Sequence, residues 1–138
     1  MTQNQPLNKL YHCVYSLQYH LVLVTKYRRR VITQPILARL REIAADRCEG
    51  WGGNLVEING EADHIHLLVS LPPNLDLSGF VNNLKTTTSR LVRKEFAADL
   101  APIYSKPVFW SRSYCILSAG GAPLSVIRRY VEQQAGVD

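Results

Sequence analysis

Apolar residues recur along the chain in two periods, and the switches between them mark out its elements. From Tyr11 to Lys26 (YHCVYSLQYHLVLVTK) the density of Tyr, Val and Leu predicts one long strand, ending in the basic run Lys26-Tyr27-Arg28-Arg29-Arg30. Between Gln34 and Glu49, Ile36, Leu37, Leu40, Ile43 and Ala44 fall at helical spacing; Pro35 suits the first turn, and Gly50 with Gly52-Gly53 ends the helix. Asn54 to Asn59 and His64 to Leu71 read as two strands joined by a turn near Gly60, and Pro72-Pro73 closes the second. Asp76 suits the cap of a helix that lines up Leu77, Phe80, Val81, Leu84, Leu91 and Val92 on one face. Val108 to Ser118 reads as a last strand, and Pro123 opens a short helix over about residues 122–134.

The order strand, helix, strand, strand, helix, strand is the split βαβ pattern. It predicts an α+β fold: a ferredoxin-like, or RRM-like, antiparallel sheet with two helices on one face, and an additional C-terminal helix. A length of 138 residues fits a single domain over 1–138. Apolar residues at 46% and charged residues at 20% exclude general disorder. Lys and Arg number 16 against 11 acids, a net +5 that favours a polyanionic partner, although a merely solvated basic surface gives the same sum. Cys13, Cys48 and Cys115 are odd in number, scattered, and form no CxxC, so they suggest neither a disulfide framework nor a cysteine zinc site, and reduced, mostly buried thiols are expected. The N-terminal residues carry no apolar signal core and no run reaches the ~18 residues of a membrane span, so a cytoplasmic protein without membrane contact is expected.

Chemistry enters at EADHIHLLVS, Glu61 to Ser70. Side chains alternate along a strand, so His64 and His66 share one face and Ile65, Leu67 and Val69 the other. If the apolar set faces the helices, two imidazoles stand side by side on the open face of the sheet, where a cation can bridge them. Two polar residues on a solvated strand face are the plain alternative, and a metal site needs at least one more ligand. In the last helix, Tyr130 and Gln134 lie four residues apart and present a phenol and an amide together; Gln133, three residues from Tyr130, also falls near that face.

These stretches, with YSLQYHLVLVTKYRRRV (Tyr15 to Val31), LKTTTSRLVRKEF (Leu84 to Phe96), FWSRSYCILS (Phe109 to Ser118) and IRRYVEQQ (Ile127 to Gln134), resemble the single-tyrosine HUH transposases of small bacterial insertion sequences, the insertion-sequence-200/605 kind. The resemblance implies a metal-dependent enzyme that cuts and rejoins single-stranded DNA at element ends, which it recognises through hairpins, by way of a 5′-phosphotyrosine intermediate. It makes His64, His66 and Gln134 the metal ligands, Tyr130 the nucleophile on the C-terminal helix, and Mg²⁺ or Mn²⁺ the cofactor. It also implies a homodimer in which the tyrosine helix, tethered through Gly120-Gly121, acts on the partner subunit's histidines. Two imidazoles and an amide suit Mn²⁺ at least as well as Mg²⁺, which prefers oxygen ligands.

Two basic clusters suit phosphate contacts: Lys26, Arg28, Arg29 and Arg30 after the first strand, and Lys85, Ser89, Arg90, Arg93 and Lys94 along the second long helix. Arg112 and Tyr114 suit unpaired bases, whereas Phe109 and Trp110 suit the core equally well. His12 and His20 receive no catalytic part. The remaining alternative is a domesticated relative, or a non-catalytic single-stranded nucleic-acid-binding module. An RRM of the usual kind is excluded by the lack of an aromatic RNP1 signature, and a 2H phosphoesterase by the lack of any His-x-Ser/Thr pair.

Overall fold

The computed structural model of the chain describes residues 7–10, 12–120 and 124–133. Strands β1 (Asn8–Leu10) and β2 (Cys13–Tyr15) form a separate antiparallel ribbon. The main sheet comprises β3 (Gln18–Val24), β4 (Asn54–Glu61), β5 (His64–Ser70) and β6 (Cys115–Ser118), in the order β4-β5-β3-β6 with every neighbouring pair antiparallel. That is the ferredoxin-like order expected of the split βαβ pattern. Helices α1 (Gln34–Gly50) and α2 (Leu77–Glu95) cover one face; α3 (Ala97–Leu100) follows α2, and α4 (Leu124–Gln133) reaches the other face.

Local chemistry sets the helix starts. Thr33 accepts a hydrogen bond from the Ile36 amide at 3.4 Å ahead of Pro35, and Asp76 accepts one from the Gly79 amide at 3.1 Å. The apolar faces of α1 and α2, with Ile36, Leu40, Ile43, Phe80, Val81 and Leu84, pack on Leu21, Leu23, Ile65, Leu67 and Val69 of the two central strands. The polar groups buried there are satisfied: the Thr88 hydroxyl donates to the Leu84 carbonyl at 2.7 Å and accepts from Trp110 Nε1 at 2.9 Å.

Three boundaries differ from those read in the sequence. The long first strand is broken at Ser16-Leu17, because its first part folds back as the β1–β2 ribbon while the Leu17 carbonyl is taken by the Leu71 amide at 3.0 Å. Of the stretch 108–118, only Cys115–Ser118 pairs as strand. Phe109 and Trp110 turn into the core; Trp110 makes only an isolated antiparallel bridge to Thr25, with the Ser111 amide on the Val24 carbonyl at 2.8 Å, and Lys85 Nζ takes the carbonyls of Ser111 (2.7 Å) and Arg112 (3.0 Å). The turn between β4 and β5 falls at Ala62-Asp63, leaving Gly60 inside β4 opposite Ile65. Of the three free thiols, only Cys48 is fully buried, which pushes its pKa up to about 12; Cys115 is half-buried and Cys13 exposed, so the thiols are less buried than expected. Among the described residues, no helix is long and apolar enough to cross a membrane.

The helix-ending glycines have distinct tasks. Gly52 takes a left-handed φ of 87°, and Gly53 runs so close to β5 that an added Cβ would lie 2.1 Å from the Ser70 carbonyl oxygen. Backbone cannot yield there as a side chain would. Gly53→Ala is expected to cost roughly 1–3 kcal/mol, as overpacking does, and to lower Tm by several degrees; differential scanning calorimetry checks this.

Candidate active site

The alternation along β5 is the one expected. Ile65, Leu67 and Val69 enter the core, and His64 and His66 project from the opposite face. Pairing register supplies their neighbours: Val24 and Glu61 flank His64, and Val22 and Asn59 flank His66.

His64 is held from behind. Its Nδ1 lies 2.9 Å from Asp63 Oδ1, and Asp63 Oδ2 accepts from Arg28 Nε at 2.7 Å. Burial alone would raise the Asp63 pKa, but the hydrogen bonds from His64 and Arg28 outweigh it and keep the carboxyl below its ordinary value. An ionised carboxylate only accepts, so Nδ1 of His64 is the nitrogen that donates to Asp63, and Nε2 is the one left for a ligand. That atom is 3.6 Å from Glu61 Oε2.

His66 has a partner the sequence reading passed over. Its Nε2 lies 2.8 Å from His20 Nδ1, and the two rings stack with centroids 5.0 Å apart. His20 faces Leu68 across the β3–β5 pair, which makes it the diagonal neighbour of His66 on the same face. Burial first, then the charges of His20 and His64 against the opposing Glu57, lower the His66 pKa, so the ring is neutral at neutral pH. The lone pair is on Nδ1 if His66 donates to His20, and is engaged at Nε2 if it accepts.

A cavity of about 340 Å³ opens over this face, between His64, His66, Asn59 and Glu61 on the sheet side and Ile127, Arg128 and Val131 on α4. Helix α4 is seated by Ile127 and Val131, which pack on Val22 and Val24. Tyr130, half-buried, lies beside this seat with Cys115 and Leu117, and its hydroxyl donates to Ser113 Oγ at 3.4 Å. It is not among the described residues that line the cavity. The structure thus brings His64 and His66 together and sets Tyr130 on the adjoining helix, turned toward Ser113. Gln134, Gly121 and Pro123 lie outside the described residues; Gln133, the alternative to Gln134, is exposed.

Among the described residues, no three of His, Cys, Asp and Glu are placed to hold a metal. The pair nonetheless fits a divalent cation. Two imidazoles face a cavity, one with a carboxylate on its other nitrogen, which is the usual support of a metal-binding histidine.

The basic candidates separate. Arg29, Arg30, Arg90, Lys94 and Arg112 are exposed, and Lys26 Nζ lies 5.3 Å over the Tyr27 ring. Lys85, Ser89 and Arg93 line a cavity of about 300 Å³ with Phe109 and Trp110 on the α2 side of the molecule, where Arg93 Nε donates to Ser89 at 3.1 Å. Arg28 turns inward, onto Asp63. Tyr27 and Arg28 adopt left-handed backbone angles, φ 56° and 53°, which cost about 1 kcal/mol each outside glycine.

Residues 13–134 match the family model described as transposase IS200 like. The ISDra2 transposase TnpA of Deinococcus radiodurans is 30% identical over 121 residues, 88% of this chain and 86% of that protein. The transposase for insertion sequence element IS200 of Salmonella typhimurium is 30% identical over 129 residues, 94% and 84% of the two chains. A crystal structure assigned as a transposase from Deinococcus radiodurans superposes with a TM-score of 0.85 at 30% identity, covering 94% of this chain and 99% of that one. A REP-associated tyrosine transposase bound to a REP hairpin shares the fold at 12% identity, with a TM-score of 0.56 over 96% of this chain and 69% of that one.

Proposed function

The chain belongs to the IS200-like transposase family, and from that premise we propose that it cuts and rejoins single-stranded DNA at element ends by transesterification through Tyr130. The observation that carries the proposal is the cavity over His64 and His66, walled by the helix that bears Tyr130. Recognition of a DNA hairpin is part of the reading, supported by the same-fold neighbour bound to one. The basic residues of α2, with Arg29, Arg30 and Arg112, would follow its phosphates. The active unit is a homodimer.

His64 through Nε2, His66, and Gln134 would hold a divalent cation, Mg²⁺ or Mn²⁺. Bound there, it supplies Lewis-acid polarisation of the scissile phosphate and neutralises developing charge. The chain's own part is nucleophilic. The Tyr130 oxygen forms a bond to phosphorus as the bond to the 3′ oxygen breaks, leaving a free 3′-OH and a 5′-phosphotyrosine. One phosphodiester replaces another, so rejoining needs no external energy source: a 3′-OH attacks, and Tyr130 leaves with a proton restored. A phenol of ordinary pKa about 10 has to lose its proton on the way in.

Incubation with labelled single strands from the gene's own flanks tests the reading. With Mn²⁺ at least as effective as Mg²⁺, a denaturation-resistant protein adduct is expected to carry the 3′-labelled fragment and to vanish with chelator. An adduct on the 5′-labelled fragment, or cleavage that persists in chelator or needs Zn²⁺, would overturn it.

A further inference from the structure

Four basic residues follow β3, and the structure gives one of them a different task. The chain leaves the sheet at Thr25, whose amide and hydroxyl both bond to the Asp63 carbonyl, at 3.0 and 3.1 Å, while the hydroxyl also reaches the Arg29 carbonyl at 2.7 Å. The Lys26 amide donates to the Phe109 carbonyl at 2.8 Å, and the Tyr104 hydroxyl donates to the Lys26 carbonyl at 2.7 Å. The Ile32 amide closes the far side on Ala62 at 2.9 Å. This clamp holds Tyr27 and Arg28 in left-handed angles that neither residue type favours. Strain persists where the surroundings over-determine it, and here its result is directional: the Tyr27 ring goes outward, and the Arg28 guanidinium goes to Asp63.

Asp63 is thereby used twice. One oxygen takes Arg28 and the other takes His64, so the carboxylate can neither rotate nor swap oxygens without losing a charge-assisted bond. We propose that Arg28 is a positioning residue rather than a phosphate contact: through Asp63 it fixes the ring orientation and tautomer of His64, so that Nε2 is the nitrogen presented to the cavity. The proposal rests on the reading of His64 as a metal ligand. Outer partners of this kind typically change metal affinity about 10–100-fold when removed. A phosphate-contacting arginine behaves otherwise, since its loss weakens nucleic-acid binding and makes the salt dependence shallower by about one unit of slope.

Three measurements on the full chain separate these outcomes: Mn²⁺ binding followed by electron paramagnetic resonance, hairpin-DNA binding across a salt series, and ¹⁵N shifts of the histidine rings. Arg28→Ala is expected to weaken Mn²⁺ binding at least about tenfold, with hairpin affinity and salt slope unchanged, and Arg28→Lys to recover part of the loss. Asp63→Asn keeps the size of the side chain in case Arg28→Ala fails to fold. Its amide oxygen is drawn to Arg28 and its NH₂ to His64, so the His64 proton should move from Nδ1 to Nε2, a change no merely structural loss produces. Unchanged Mn²⁺ binding in Arg28→Ala, weakened hairpin binding with a shallower salt slope, or an unmoved His64 proton in Asp63→Asn would overturn the proposal. Failure of the underlying reading is visible separately: the unaltered chain would not bind Mn²⁺, or His64→Ala would bind it equally well.

Discussion

Tyr130→Phe is expected to abolish the covalent DNA adduct and lower strand cleavage at least about 10³-fold, because no other group in its place can carry the phosphoryl link. The substitution is unusually clean in this fold. The Tyr130 ring packs beside Val22, Val24, Ile127 and Val131, and phenylalanine keeps that packing. What it removes is the hydroxyl, whose contact with Ser113 is long, at 3.4 Å, and contributes at most about 1 kcal/mol. Tm and hairpin affinity measured beside the adduct separate a lost nucleophile from a lost fold. Adduct formation by Tyr130→Phe would remove Tyr130 from the reaction and leave another residue to be found.

The histidine pair was legible in the sequence because it depends only on the two-residue period of a strand: once Ile65, Leu67 and Val69 are buried, His64 and His66 have to face the other way. His20 was not legible, since its meeting with His66 depends on which residue of β3 lies opposite which residue of β5, and that register is set by tertiary packing. The role of Asp63 had a signal in hand, a carboxylate directly before a histidine, that went unused. For Arg28 there was none. Its neighbours Arg29 and Arg30 are chemically alike but exposed, and only the left-handed turn distinguishes them. The same limit explains the broken first strand and the shortened last one. Residues 13–15 and 108–114 have strand-like composition, but the first segment pairs with β1 in a separate ribbon instead of the main sheet, and the second keeps only an isolated bridge at Trp110 while Phe109 and Trp110 turn into the core.

Mixing a His64→Ala chain with a Tyr130→Phe chain, each inactive alone, is expected to restore cleavage. The geometry of α4 motivates this. Ile127 and Val131, four residues apart, fix which side of the helix meets the sheet, and Tyr130, packed against that seat, turns its hydroxyl toward Ser113. While this seat is kept, Ile127, Arg128 and Val131 face the cavity over the helix's own histidines, and Tyr130 is not among the described residues that line it. Burial of two aliphatic side chains is worth about 1.5–3 kcal/mol each, small enough that DNA and a neighbouring subunit can outweigh it. Among the described residues, nothing lies within 4 Å of where a Cβ at Gly120 would sit. In a symmetric dimer whose helices are exchanged, a mixed pair contains one site with both His64 and Tyr130 and one with neither. Random pairing of equal amounts makes about half the dimers mixed, which leaves roughly a quarter of the sites competent. If each helix instead served its own histidines, every site in the mixture would lack one component. Cleavage near a quarter of that of the unaltered protein would establish action across subunits, and none at all, with mixed dimers shown to form, would assign Tyr130 to its own chain.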